Sequence, residues 1–336
     1  MKVFSVLAIV FVLSSCKIQA PPSDYFPTPI SETSNTAPSP IPIPPASPTA
    51  ETIDRSLERE FSEIVEGVDG TVGIGVKLLP TGESAYLDRH GRYPMLSVHK
   101  LPIAMAALRM VDEGRIRLDQ EVSITPEDFV RLGYNSPLRY KYPQGVALPL
   151  REIIRASISE SDGTASDVLL DLARGPEDVE SYLQQLGVSD AMVITESEKS
   201  MSTAWENQYL NWATPDGTVR LLQALHERRV GLSEETTQFL LDVMRHAGTG
   251  ERRIMGGLPR GTPYAHKTGT GGMERGIISA TNDVGLISLP DGRVVAIAVY
   301  IRDAKGATSV RLEAMQKIAE AVWKNWADDA HTETRK

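Results

Sequence analysis

Apolar residues recur at helical spacing over residues 52–68, which predicts a first helix there. Residues 71–79 alternate instead and are rich in Val and Ile, so they predict a strand. A turn at residues 80–82 leads to a second predicted strand over residues 84–88. The apolar positions that define the helix are Ile53, Leu57, Phe61, Ile64 and Val65.

Helical spacing then dominates the middle of the chain. A helix is predicted over residues 97–113, ending at Gly114, and others over residues 149–159, 163–174, 176–186, 216–227 and 233–246. Strands return over residues 264–267, 276–289 and 293–302, with a hairpin turn at residues 290–292. An amphipathic helix over residues 309–326 closes the pattern.

Strands therefore flank one long helical insertion. We expect an α+β fold with two lobes, over residues 51–329. In one lobe, an antiparallel five-stranded sheet is flanked by the N-terminal and C-terminal helices. The other lobe, about residues 95–250, is all-helical and inserted into the first. A cleft between lobes is a usual place for a small-molecule site.

The N-terminus has the features of an export signal. Met1 and Lys2 give a positive start, and residues 3–13 form an apolar segment too short to span a membrane. The segment ends in Leu-Ser-Ser-Cys at Cys16, the only cysteine, and resembles the lipobox of bacterial lipoproteins. That resemblance implies a signal peptide over residues 1–15, lipidation of Cys16 and a membrane anchor, with the outer membrane favoured. The Pro-rich residues 16–50 then form a tether, and residues 330–336 a tail.

Composition narrows the function classes. The chain has 336 residues, 24% of them charged, and a formal net charge of −9 with no basic run, which disfavours nucleic-acid binding. No apolar stretch reaches the roughly 20 residues that span a bilayer. The six histidines show no metal-ligand spacing, so we expect no metal and no cofactor. We expect a monomer.

A serine and a lysine at residues 97 and 100 supply candidate chemistry. On a helix, positions i and i+3 share a face, so the Ser97 hydroxyl and the Lys100 amine can meet. A serine needs a base to become a nucleophile, and a buried lysine can serve. The alternative interpretation is that Ser97 only caps a helix.

Two later motifs change the balance between these interpretations. Ser161-Asp162-Gly163 precedes a predicted helix, and Lys267-Thr268-Gly269-Thr270 ends a predicted strand. Ser-x-x-Lys, Ser-Asp-Asn and Lys-Thr-Gly in this order are typical of class A β-lactamases and penicillin-binding proteins. The sequence resembles a class A serine β-lactamase over residues 51–329.

This resemblance implies a role for each motif. Ser97 would attack the lactam carbonyl, with Lys100 as base or proton relay. Ser161 would pass a proton to the leaving nitrogen, and Lys267 would attract the substrate carboxylate. The N–H groups of Ser97 and Thr270 would form the oxyanion hole, beside Thr268 and Gly269.

The resemblance also implies a glutamate that activates the deacylating water. The loop around residues 193–212 resembles that of extended-spectrum class A enzymes with an enlarged loop, which points to Glu198. Glu196 is the alternative, and both could be plain solvated carboxylates. Arg253 and Arg275 compete as the arginine for the substrate carboxylate, with Arg253 slightly favoured.

One position departs from the family pattern. Gly163 replaces the asparagine that holds the substrate side-chain amide, which bears on substrate range and efficiency. Tyr134 resembles the aromatic gate at the cleft mouth, although a packed tyrosine fits equally well. The expected function is β-lactam hydrolysis through a serine acyl-enzyme, giving antibiotic resistance. The alternatives are a penicillin-binding D,D-peptidase-like or slowly acylating protein, and a non-catalytic anchored binding lipoprotein.

Overall fold

The computed structural model describes residue 43 and residues 50–79 and 81–327. The predicted signal peptide, Cys16, nearly all of the tether and the predicted tail lie outside the described residues. Within the described part, no helix combines the length and apolar character needed to cross a bilayer.

The helices agree with most of the predicted ones to within about three residues at each end. Short 3₁₀ turns span Leu96–His99, Pro126–Asp128, Glu206–Tyr209 and Ile254–Gly257. The α-helices are α1 Arg55–Val65, α2 Lys100–Asp112, α3 Pro137–Lys141, α4 Leu150–Ile158, α5 Gly163–Leu172, α6 Pro176–Gln185, α7 Glu198–Met201, α8 Pro215–His226, α9 Glu234–Arg245 and α10 Thr308–Trp326.

The strands form one large sheet and two small ones. They are β1 Thr52–Ile53, β2 Thr71–Leu79, β3 Glu83–Leu87, β4 Tyr93–Pro94, β5 Glu121–Ile124, β6 Val146–Pro149, β7 Met192–Val193, β8 Trp212–Ala213, β9 Tyr264–Thr270, β10 Met273–Glu274, β11 Ile277–Ser288 and β12 Val294–Ala304. The large sheet has the order β1-β3-β2-β12-β11, and β9 and β10 pair with the far edge of β11.

The predicted five-stranded antiparallel sheet is confirmed as β3, β2, β12, β11 and β9. Two details of the prediction were wrong. The short β1 pairs in parallel with β3, so the sheet is not purely antiparallel. The helical middle also contains the β5–β6 hairpin and the short β7 and β8, because strands of two to four residues carry too little alternation to be recognised.

Both faces of the large sheet are buried, as β12 illustrates. Its odd-numbered residues from Val295 to Ile301 pack in a core with α1 and α10. The intervening Ala296, Ala298 and Tyr300 belong to a second core, which includes α2, α5 and α8. Because successive side chains of a strand point to opposite faces, one strand joins the two cores. Edge strand β9 lies against the turn that carries Ser97 and positions the candidate site.

Candidate active site

Ser97 lies in the 3₁₀ turn Leu96–His99, directly before α2 begins at Lys100. The prediction of a single α-helix from residue 97 is therefore wrong at its start, because the chain enters α2 through a tighter turn. In a 3₁₀ turn, side chains at positions i and i+3 lie directly above one another. Lys100 follows the turn three residues after Ser97, and its Nζ lies 2.8 Å from the Ser97 Oγ. The cap residue of the turn is Met95, which leaves Ser97 without the capping role of the alternative interpretation.

Lys100 connects the serine to a buried carboxylate. Its side chain is 1% exposed, and its Nζ also donates to the Oε1 of Glu198. Burial alone would raise the pKa of the Glu198 carboxyl, but the neighbouring Lys100, which both attracts the carboxylate and donates to it, outweighs burial and holds that pKa below its ordinary value. Glu198 is thus ionised at neutral pH, as a general base requires.

The loop that carries Glu198 is held by Asp167. The short helix α7 begins at Glu198, and Asp167 of α5 accepts the N–H groups of Glu198 and Lys199 at 2.6 and 2.9 Å. Glu196 instead accepts a hydrogen bond from Ser200 within the loop. The structure therefore brings Glu198, and not Glu196, to Lys100.

A second polar group, Asn211, fixes the same loop at its base. Its side chain is fully buried, and its Oδ1 accepts from the N–H groups of Thr195 and Glu196 at 2.8 and 2.9 Å. Its own backbone oxygen accepts from the N–H of Met95 at 2.9 Å. One residue thus ties the Glu198 loop to the segment that enters the Ser97 turn.

Lys267 and Ser161 form a second lysine–serine pair. The fully buried Lys267 Nζ donates to the Ser161 Oγ at 2.9 Å. Burial, followed by the charges of Lys100 and Arg253, lowers the pKa of Lys267 well below its ordinary value. Ser161 has a φ of 58°, which is costly for a residue other than glycine and is typical of functional positions. Asp162 caps α5 directly after it.

Strand β9 packs closely against the entrance to the Ser97 turn. A Cβ added to Gly269 would lie 2.3 Å from the Met95 backbone oxygen, so only glycine fits there. From β11, the Asn282 side chain donates to the same oxygen at 3.1 Å. Thr268 is buried and its hydroxyl lies 2.7 Å from that of Thr249.

The two candidate arginines have different positions. Arg253 is half-buried and donates to the Gly269 carbonyl at 3.0 Å and to the Thr270 hydroxyl at 2.6 Å. Arg275 is 89% exposed and lies 3.8 Å from Glu274. Arg275 occupies the turn between β10 and β11, with a φ of 50°.

Gly163 and Tyr134 border the Ser161 side of the site. Gly163 begins α5, is buried, and donates its N–H to the Asn135 carbonyl at 2.8 Å. The Asn135 amide in turn donates to the Ser161 carbonyl at 2.9 Å. Tyr134 is half-buried and directly precedes Asn135, so it lies on the loop that contacts Ser161.

Sequence reasoning missed three polar residues that position the site: Asp167, Asn211 and Asn282. Asp167 carried a signal, since a buried acid interrupts the apolar face of α5. Asn211 lies in the loop whose sequence resembles the extended-spectrum subgroup, but that resemblance did not indicate its structural role. Asn282 carried no signal, because its partner Met95 lies far away in the sequence. Among the described residues, no group of three or more His, Cys, Asp and Glu side chains is arranged to hold a metal ion.

Comparison with known proteins agrees with this geometry. The model of the β-lactamase enzyme family matches residues 56–326. A β-lactamase from Bacteroides uniformis is 35% identical over 80% of this chain and 90% of its own length. The extended-spectrum β-lactamase PER-1 from Pseudomonas aeruginosa is 32% identical over 80% and 86%. The crystal structure of a β-lactamase from Chitinophaga pinensis matches with a TM-score of 0.78 and 37% identity, covering 81% of this chain and 99% of that one.

Proposed function

The chain belongs to the β-lactamase enzyme family, of the class A serine type, and we propose that it hydrolyses β-lactams through an acyl-enzyme on Ser97. One observation carries the proposal. The Lys100 Nζ contacts both the Ser97 Oγ and the Glu198 Oε1, so one buried amine lies between a nucleophile and a carboxylate and can move a proton between them. This arrangement supplies a base for each half of the reaction.

In the acylation half, the Ser97 Oγ attacks the lactam carbonyl carbon and gives its proton to Lys100, which acts as the neutral amine. The C–N bond of the lactam then breaks, Ser161 delivers its hydroxyl proton to the leaving nitrogen, and the proton taken up by Lys100 restores the Ser161 hydroxyl. The 2.9 Å contact from Lys267 supports this role, because it orients the Ser161 hydroxyl. The N–H groups of Ser97 and Thr270 stabilise the oxyanion.

Substrate binding uses the Lys-Thr-Gly-Thr end of β9. Lys267 attracts the β-lactam carboxylate, and Thr268, Gly269 and Thr270 line its position. Arg253 is the arginine we assign to this subsite, because its guanidinium reaches the Thr270 hydroxyl. Arg275 is left out of this assignment because of its exposure.

In the deacylation half, Glu198 takes a proton from a water that attacks the Ser97 ester. The bond between the acyl carbon and Oγ breaks, and the proton taken by Glu198 returns to the Ser97 Oγ through Lys100, which contacts both groups. This step separates hydrolysis from a penicillin-binding or slowly acylating protein, which would stop at the ester. The contact between Glu198 and Lys100 favours hydrolysis, while the missing side chain at Gly163 favours the alternative.

The test compares variants by intact-mass detection of the acyl-enzyme during nitrocefin turnover. Ser97→Ala should abolish both labelling and hydrolysis. Glu198→Ala should still acylate but should slow deacylation by about 10²–10⁴-fold, since the positioned base is lost. Glu196→Ala is the matched control and should turn over nearly as the wild type does.

A wild-type protein that traps the acyl group and never releases it would support the penicillin-binding alternative. Wild type that neither labels nor hydrolyses would support the non-catalytic one.

We also propose that substrates include bulky extended-spectrum cephalosporins and that the enzyme confers resistance to them. The likeness of the Glu198 loop to that subgroup and the identity to PER-1 support this. Expression in a susceptible bacterium should raise the inhibitory concentration of such a cephalosporin, whereas Ser97→Ala should not. Equal growth inhibition with both proteins would refute it.

We further propose a monomeric lipoprotein, held on the periplasmic side of the outer membrane through Cys16. The export signal and lipobox of residues 1–16 support this proposal. Cys16→Ser should release the protein from membranes without altering turnover. Continued fractionation of this variant with salt-washed membranes would count against the anchor.

A further inference from the structure

His99 is a buried imidazole beside the proposed reaction that the mechanism leaves unused. It lies between Val98 and Lys100 in the sequence, and its side chain is fully buried. Neither ring nitrogen makes a hydrogen bond of ordinary geometry within the described part of the chain, although the Leu96 backbone lies near enough to raise the pKa of the ring. A buried polar group without a partner is costly, and an apolar ring would avoid that cost. The histidine therefore calls for an explanation other than packing.

The ring faces the carboxylate of the proposed base. The His99 Nε2 lies 3.7 Å from the Glu198 Oε1, the same oxygen that accepts from Lys100. This separation is about half an ångström beyond the 2.7–3.2 Å of an N–H···O bond. A side-chain adjustment smaller than one ångström would close it. The other charged groups near Glu198 are Lys100 on α2, Lys267 on β9 and Asp167 on α5.

We propose that His99 is a positioning residue, a reserve hydrogen-bond donor that holds Glu198 when Lys100 turns toward Ser97. To accept the proton of the serine, Lys100 must first be the neutral amine, and a neutral amine stabilises a carboxylate less than an ammonium group does. During that interval, the Glu198 Oε1 would be a buried anion with a weakened partner. A donated bond from the His99 Nε2 would keep it ionised and aimed at the deacylating water. This inference rests on the proposed function.

The protonation state of His99 suits a donor that does not itself titrate near neutrality. Burial, more than the neighbouring cations, lowers the pKa of His99 to about 4, although the Glu198 charge opposes the shift. The neutral ring carries one N–H, and a tautomer with hydrogen on Nε2 directs it to the carboxylate.

The experiment measures acylation and deacylation separately in His99→Phe and His99→Gln. Phenylalanine fills the space without a donor, whereas glutamine restores an N–H without a titrating ring. His99→Phe should acylate within about threefold of the wild type. Its deacylation should slow roughly tenfold to a hundredfold, since a hydrogen bond to a charged acceptor is lost. In a plot of deacylation rate against pH, the fall in rate on the acid side should move to higher pH, because Glu198 would lose a donor that stabilises its ionised form. His99→Gln should recover most of the deacylation rate.

Normal deacylation and an unmoved acid limb in a folded His99→Phe would overturn the inference. Imidazole ¹⁵N NMR of the wild-type protein provides a second test that needs no turnover. It should report hydrogen on Nε2 and a shift of that signal in Glu198→Gln; hydrogen on Nδ1 would also overturn the inference. If the wild type fails to hydrolyse β-lactams at all, the proposed function fails, and the NMR result still decides whether His99 and Glu198 interact.

Discussion

At the scale of single residues, the site depends on two carboxylates buried close together. Glu198 is ionised beside Lys100, while Asp167 binds the backbone at the start of α7. Burial raises the pKa of Asp167 to about 6, even though two N–H groups favour its charged form. Keeping the Asp167 carboxylate charged in this buried position therefore costs free energy. This cost indicates that the position of Glu198 depends on Asp167 as a hydrogen-bond acceptor.

Replacement of Asp167 by asparagine tests this dependence. One oxygen becomes an NH₂ group that confronts the N–H of Glu198 or Lys199, so one of the two hydrogen bonds is lost. We expect deacylation to slow by about tenfold, the effect of losing one bond to a charged acceptor, while acylation changes little. Single-turnover kinetics would measure both. Asp171→Asn, an exposed change on the same helix, is the control, and equal rates in the two variants would contradict the prediction.

Gly163 gives a second prediction at this scale. A Cβ there would lie 3.2 Å from the Asn135 carbonyl oxygen and 3.3 Å from a Val130 methyl group. Gly163→Asn should therefore lower the free energy of unfolding by about 1–3 kcal/mol through crowding. It should nevertheless raise kcat/KM relative to Gly163→Ala, because only asparagine adds an amide for the substrate side chain. Identical kcat/KM values for the two variants would show that this contact does not limit catalysis.

At the scale of elements, the site depends on how closely β9 approaches the Ser97 turn. Gly269→Ala would drive a Cβ into the Met95 carbonyl, which is backbone and cannot rotate away. The strand or the turn must shift, and a displacement of about 1 Å can cost on the order of 10²-fold in rate. We expect acylation to fall by about that factor, measured by the rate of covalent labelling with penicillin.

The control for this change is Gly248→Ala, whose nearest atom would be the Ser159 oxygen at an ordinary 3.5 Å. It should leave both labelling and stability close to those of the wild type. Labelling of Gly269→Ala at the wild-type rate would show that β9 can move without disturbing Ser97.

The elements themselves were predictable from sequence wherever the pattern was long. Helices such as α8 and α9 and strands such as β2 and β12 repeat their apolar spacing often enough to be recognised. The 3₁₀ turn at Ser97 was not predictable, because a single turn of an α-helix and of a 3₁₀-helix both bring residues i and i+3 together. The Ser-x-x-Lys, Ser-Asp and Lys-Thr-Gly motifs predicted which residues meet, although Ser97 and Ser161 lie just before α2 and α5 rather than within them. The contact between Asn282 and Met95 spans 187 residues, and no local pattern encodes it.

At the scale of the whole molecule, His99 and Asp167 give stability an unusual dependence on pH. The pKa of His99 falls from 6.5 to about 4, so its contribution is present above pH 6.5 and is lost as the pH falls toward 4. The pKa of Asp167 rises from 3.8 to about 6, so its contribution is present below pH 3.8 and is lost as the pH rises through 6. Between pH 4 and 6 the two effects oppose each other.

His99→Phe should remove one of the two effects. Relative to the wild type, this variant should gain stability as the pH falls from 6.5 to 4, by up to about 1.4 kcal/mol per pH unit. Urea unfolding at several pH values between 4 and 7.5 would measure the difference. Replacing the exposed His246 by glutamine should leave the curve parallel to that of the wild type. A parallel curve for His99→Phe as well would mean that the ring is not buried in its neutral form.

The hydrogen bonds that Met95 makes with Asn211 and Asn282 also have a consequence for folding during synthesis. Ser97 and Lys100 are neighbours and are synthesised together early. Their surroundings are completed by Asn211 and then by Asn282, which arrive more than a hundred and nearly two hundred residues later. Contacts between distant parts of a chain form late in folding, since a long loop must close first. A growing or truncated chain that ends before β11 thus contains the proposed nucleophile but lacks this support, and we expect the proposed acylating centre to form only when the last strands are in place.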